Sequence, residues 1–135
     1  MSITIREFFK PTITTHYPRQ TETIPARFRG HIQLTQNPDG GASLCIACKS
    51  CERACPSACI IVEGVKKTDG PGKTVSEFRL DFGTCSLCGL CIEACPVKPV
   101  KAIEFTKRYN LASTTNDYAD MDLVQRYKDL QAKKS

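Results

Sequence analysis

The chain has 135 residues, 19 Lys and Arg against 14 Asp and Glu, 7% aromatic residues and no tryptophan. That length accommodates one domain with arms and a small apolar core. It holds no apolar stretch near the ~20 residues of a membrane span, no secretory leader pattern at its start, and no basic run interleaved with aromatics of the kind that binds nucleic acid.

In chain order, Ile3, Ile5, Phe8 and Phe9 form a short apolar stretch ended by Pro11. It suits a membrane surface, a partner or the chain's own domain equally. Residues 11–38 are polar and punctuated by proline, which predicts an extended arm. Its two histidines, His16 and His31, read as ordinary polar or interface residues. Cys45, Cys48, Cys51 and Cys55 follow, with Pro56 behind them, and predict a loop and a short helix over 45–60. Residues 61–67 read as a strand, residues 68–72 (Thr-Asp-Gly-Pro-Gly) as a turn. Over 75–82, Phe78, Leu80 and Phe82 alternate with Glu77, Arg79 and Asp81, the pattern of a half-buried strand. Cys85, Cys88, Cys91 and Cys95, with Pro96, repeat the earlier motif. Gly89 within it lets backbone come close to a bound group. Residues 97–101 lengthen the connection beyond its counterpart, Ser57-Ala58, and read as a surface loop. Residues 116–131 predict a helix capped by Asn116 or Asp117. Tyr118, Met121, Val124, Tyr127 and Leu130 mark its apolar face, which is expected to meet a neighbouring subunit. Residues 133–135 are expected to fray.

Eight of the nine cysteines thus obey C-x2-C-x2-C-x3-C-P, twice. This is the ligand run of bacterial ferredoxins with two 4Fe–4S clusters, in which the fourth cysteine of each run serves the other cluster. The expected ligands are Cys45, Cys48, Cys51 and Cys95 for the first cluster, and Cys85, Cys88, Cys91 and Cys55 for the second. Zinc converges its ligands on one atom and usually recruits C-x2-C pairs, so three spaced cysteines plus a proline-terminated fourth fit it poorly. An odd cysteine count without a leader disfavours a disulfide framework. The clusters would supply much of the core and couple folding to metal, in a reducing compartment. Eight thiolates and two oxidised cores take the formal +5 to roughly +1. Cys59, the ninth, reads as a small buried residue beside a cluster. The chain shows no Gly-rich dinucleotide loop and no nucleophile–base arrangement, hence no catalytic centre of its own.

The text around the motifs is more specific than the cysteines. Arg27-Phe28-Arg29-Gly30, Cys45-Ile46-Ala47-Cys48-Lys49-Ser50-Cys51-Glu52, Asp81-Phe82-Gly83, Cys88-Gly89-Leu90-Cys91-Ile92-Glu93-Ala94-Cys95-Pro96 and Tyr109-Asn110-Leu111 together resemble the eight-iron subunit of respiratory complex I, the NADH:quinone oxidoreductase. They are also similar to the matching subunits of membrane-bound NiFe hydrogenases and photosynthetic complex I. The resemblance implies an α+β fold: a ferredoxin-like core with a pseudo-twofold repeat (39–108), an N-terminal arm (1–38) and a C-terminal extension with a helix (109–135). It implies an electron-relay subunit with two 4Fe–4S clusters in a peripheral arm, passing electrons toward quinone. Its partners would be other subunits of the complex, which hold it peripherally on the cytoplasmic face of the membrane. Arg27 and Arg29 would contact neighbours or support a cluster. The insertion after Pro96 departs from the family text and keeps the hydrogenase subunit as an alternative, beside a free soluble ferredoxin.

Overall fold

The computed structural model describes residues 2–37, 41–67, 72–117 and 120–133; most of the expected turn at 68–72 lies outside them. The central feature is an antiparallel hairpin of β2 (Ile60–Lys66) and β3 (Lys73–Leu80). Glu63 pairs with Glu77 and Gly64 with Val75, which leaves Ser76 over as a bulge. An extra residue in one strand shifts the inward-outward alternation by one. That shift lets Val75, Phe78 and Leu80 all point inward, with Phe78 and Leu80 fully buried beside Val62. Phe82 falls past the end of β3, half-buried. Short helices α2 (Ser50–Ala54) and α3 (Leu90–Glu93) pack on one another. The Glu52 carboxylate fastens α2 to β2 by accepting from the Val62 amide at 3.2 Å.

A second, two-stranded sheet joins β1 (Ile32–Leu34) to β4 (Ile103–Phe105), antiparallel, with Ile32 opposite Phe105 and Leu34 opposite Ile103. Ile32, Leu34 and Ile103 are all buried in the core. Residues 31–35, within the stretch that reads as an arm, are therefore part of the folded centre. The proline-rich, polar setting hid a three-residue strand too short to show an alternation of its own. Gly30 makes the junction possible: it donates to Thr106 O at 3.1 Å, and a Cβ there would stand 2.6 Å from that oxygen. Lys107 Nζ clamps the preceding segment by donating to Pro25 O, Ala26 O and Phe28 O. Upstream of this clamp the chain lies open. α1 (Ser2–Phe8) buries none of its residues, and Ile3, Phe8 and Phe9 are more than three-quarters exposed.

The C-terminal helix differs from the expectation in start, cap and partner. α4 spans Leu123–Ala132, and Asp122 caps it by accepting from Val124 N and Gln125 N. Residues 121–122 form β5 instead, pairing Met121 with Leu80 of β3. The expected face included Tyr118, which lies outside the described residues. Leu123 and Tyr127 bury against the chain's own β1 and β3 rather than awaiting a neighbour. The Tyr127 hydroxyl donates to Gly41 O at 3.1 Å and accepts from Gln131 Nε2 at 2.8 Å, which pins the segment leading to Cys45. Among the described residues no helix is long and apolar enough to cross a membrane.

His31 is a core residue. It is 2% exposed, its Nδ1 lies 3.1 Å from Thr106 Oγ1, and its ring meets Phe82 edge-on. Burial first, then the charges of Arg126 and Arg108, lower its pKa to about 4. A base whose folded pKa is depressed is neutral in both states above its unfolded value near 6.5. Below that value the unfolded chain takes up the proton first, so stability falls as pH drops toward 4. At pH 5 this amounts to about 2 kcal/mol. The thermal midpoint of the wild type should fall more than that of His31→Gln between pH 7 and 5. Equal falls would refute the linkage.

Gly64 faces the first cysteine loop, and a Cβ there would collide with the Cβ of Ala47. Gly64→Ala should lower the unfolding free energy by about 1–3 kcal/mol, the usual cost of overpacking. Denaturant unfolding followed by circular dichroism measures it.

Candidate metal centres

Each cysteine run wraps because its middle cysteine is flanked by left-handed residues. Ala47 (φ 49°) and Lys49 (φ 59°) flank Cys48; Leu87 (φ 52°) and Gly89 (φ 88°) flank Cys88. Three of these four carry a Cβ, and each left-handed non-glycine residue costs about 1–2 kcal/mol. Such strain persists where something else fixes the loop, commonly a bound group. Lys49 and Gly89 also open α2 and α3, so Cys51 and Cys91 emerge buried in the first turn of each helix. The helices then stop. Cys55 is already extended (φ −79°, ψ 114°), as the residue before a proline prefers.

That ending decides which cysteines meet. One cavity is lined by Cys45, Cys48, Cys51 and Cys95. A second is lined by Cys85, Cys88, Cys91 and Cys55. The fourth cysteine of each run thus faces the cavity formed by the other run. A 3.0 Å contact between Ser57 Oγ and Ser86 Oγ holds the segment behind Cys55 against the second loop. Apolar side chains wall both cavities: Val62, Phe78 and Ile103 in the first, Ile32, Ile60 and Phe105 in the second. Cys59, buried, joins the second, with its Sγ 3.3 Å from that of Cys55.

The donor set fits iron–sulfur cubanes. Among the described residues no group of three or more His, Cys, Asp or Glu closes on a single ion, whereas four soft sulfur donors rim each cavity. Burial, then neighbouring cysteine charge, pushes the Cys51 thiol up to about 12, and burial pushes Cys91 up to about 11. Such thiols stay protonated at neutral pH until a metal displaces the proton, so loading and proton release are coupled. Cys48 shows the opposite balance. Its slight desolvation is outweighed by hydrogen bonds with Ser50, whose Oγ is 3.4 Å from its Sγ, and the thiol is more acidic than usual.

Two cations hold the loops in place. Arg29 donates from Nη1 to Leu87 O (3.1 Å) and Cys88 O (2.6 Å), and stacks over Phe105 at 5.5 Å. Of the two roles expected for it, the structure displays support of the second loop. A Cβ at Gly89 would only touch Phe105 and Arg29, so it is the φ of 88° that favours glycine there. Lys101, from the stretch expected to be a plain surface loop, donates to Glu93 O and Cys95 O. It thereby satisfies carbonyls that end α3, where a cation also complements the helix dipole. No local sequence signal marks either contact; Arg29 and Leu87 are 58 positions apart. Arg29→Ala should cost about 1 kcal/mol and release iron faster from the second cavity than from the first. A chelator-challenge time course on the loaded chain, read by visible absorbance, tests this; equal rates at both sites would refute it.

Comparison with known proteins follows this geometry. The 4Fe-4S dicluster domain matches residues 44–99. The chain is 39% identical over 127 residues to NADH-quinone oxidoreductase subunit I 1 of Syntrophobacter fumaroxidans, covering 94% of this chain and 83% of that protein. It is 37% identical to a subunit I of Symbiobacterium thermophilum, over 71% of this chain and 40% of that one. It is 35% identical to one from Aquifex aeolicus, over 72% and 56%. The chain therefore spans most of the first relative and about half of the other two. A chain of the membrane-bound sulfane sulfur reductase, an archaeal respiratory membrane complex, shares the fold with a TM-score of 0.59 at 23% identity. That match covers 97% of this chain and 67% of the other.

Proposed function

Because the chain belongs to the NADH-quinone oxidoreductase subunit I family, we propose that it is the electron-relay subunit of a complex I-type respiratory assembly, with one 4Fe–4S cluster in each cavity. Cys45, Cys48, Cys51 and Cys95 hold the first cluster, and Cys85, Cys88, Cys91 and Cys55 the second. The single observation that carries this reading is the crossing: Cys95 lines the first cavity and Cys55 the second. When bound, the clusters supply one-electron carriers.

The residues of the chain do the rest. Thiolates fix the irons, and the apolar walls keep water from the buried sulfurs of Cys51, Cys91 and Cys95, which tunes potential and protects the site. α2 carries Cys51 to one cavity and leads directly into Cys55 at the other; α3 and Cys95 mirror it. Each helix therefore bridges both sites, and an electron need cross only one helical turn of protein. The matching left-handed residues around Cys48 and Cys88 support a pseudo-twofold repeat. The chain divides into arm, ferredoxin-like domain and C-terminal extension, with β1 and α4 packed back on the domain.

Other subunits of the assembly are its partners. They hold it peripherally at the cytoplasmic face of the membrane, and electrons leave it toward quinone. The names of the relatives favour that direction over a hydrogenase subunit or a free ferredoxin.

Anaerobically isolated chain should contain about eight iron atoms and co-purify with membrane-bound subunits. Stoichiometric zinc, or migration as a free 15.0 kDa protein in native extract, would refute the proposal. Cys95→Ala should abolish the electron paramagnetic resonance signal of the cluster held by residues 45–51 and spare the other. Loss of the signal from the cluster held by residues 85–91 instead would overturn the crossed ligation.

A further inference from the structure

The two cavities are not equivalent. β2 and β4 begin at matching places, Ile60 and Ile103. The residue just before each strand is buried and lines a cavity: Cys59 in the second, Ala102 in the first. One position in the fold thus holds a thiol in one half and a methyl group in the other.

We infer that Cys59 is a positioning and tuning residue of the second site, donating its S–H to the ligand sulfur of Cys55 and so separating the two clusters in reduction potential. The inference rests on the cluster reading above. Cys59 is 6% exposed, and its Sγ lies 3.3 Å from that of Cys55. Once Cys55 binds iron its sulfur has no proton, so Cys59 is the only possible donor of the pair. The geometry is held from both sides. Ala58, in the left-handed region at φ 49°, turns the chain just before Cys59, and Cys59 O accepts from Asp81 N at 2.9 Å. A donor to a ligand sulfur disperses negative charge and favours the reduced, more anionic cluster. Ala102 offers the first cluster no such donor. An electron shared between the sites, with no bond made or broken, is therefore drawn toward the second.

Anaerobic redox titration of the full loaded chain, followed by electron paramagnetic resonance, tests this in the wild type, Cys59→Ala and Cys59→Ser. The Cys95→Ala variant identifies which signal belongs to which cluster. Cys59→Ala should shift electron sharing toward the first cluster by roughly two- to tenfold, as loss of one hydrogen bond does. Tenfold corresponds to about 59 mV for one electron. The first cluster's midpoint should stay put, and Cys59→Ser, which retains a donor, should recover most of the shift. Unmoved midpoints at full iron content would overturn the inference while leaving the cluster reading intact. So would equal shifts of both clusters, no recovery by serine, or loss of the second cluster from Cys59→Ala. A wild-type chain with iron for fewer than two clusters would overturn the cluster reading, and this inference with it.

Discussion

Each of the two short helices ends by sending a cysteine away from its own loop and into the cavity of the other. Cys55 and Cys95 make this exchange, and the rest of the core is arranged around it. A five-residue and a four-residue helix would be marginal alone, since so short a segment gains few backbone bonds for the freedom it gives up. Here they pack on each other and share the walls of two cavities. Metal at either cavity would tie both repeats together, so the interdependence of the two halves is built into the ligand sets.

The apolar core is thin and serves as cavity wall. Val62, Phe78 and Ile103 are buried and line the first cavity; Ile32 and Ile60 do the same for the second. Side chains that stabilise the sheet therefore also lower the dielectric around the sulfurs. The same burial drives thiols such as Cys51 toward their protonated form, and so a bound metal has to overcome what the core imposes. Arg29 and Lys101 bind loop carbonyls rather than the thiols. They place positive charge close to each site without competing for the ligands.

The periphery is of two kinds. α4, β5 and the Lys107 clamp are fastened to the core by burial and hydrogen bonds, and they fix the segments on either side of the cysteine loops. α1 and its neighbours Phe9 and Ile13 keep large apolar side chains in water. A contiguous exposed apolar segment of that kind marks a surface for association, in accord with membership of the subunit I family.

The amino-acid sequence by itself determined the chemistry. Cysteine spacing is a local property, set over eleven residues by the turn of the chain, and C-x2-C-x2-C-x3-C-P can be read without knowing what lies across the fold. β3 was legible for a similar reason, because alternation within one segment reports one buried face. What only the tertiary structure decided was everything fixed by partners distant in the chain. Three-residue β1 exists because β4 pairs with it from 71 positions away. α4 starts at Leu123 because Met121 is drawn into the sheet beside Leu80, which passes the cap to Asp122. His31 became a core residue and Arg29 a brace through contacts that no short window of sequence contains. Pattern within a turn or a strand records local backbone preference; burial and long-range pairing belong to the folded whole.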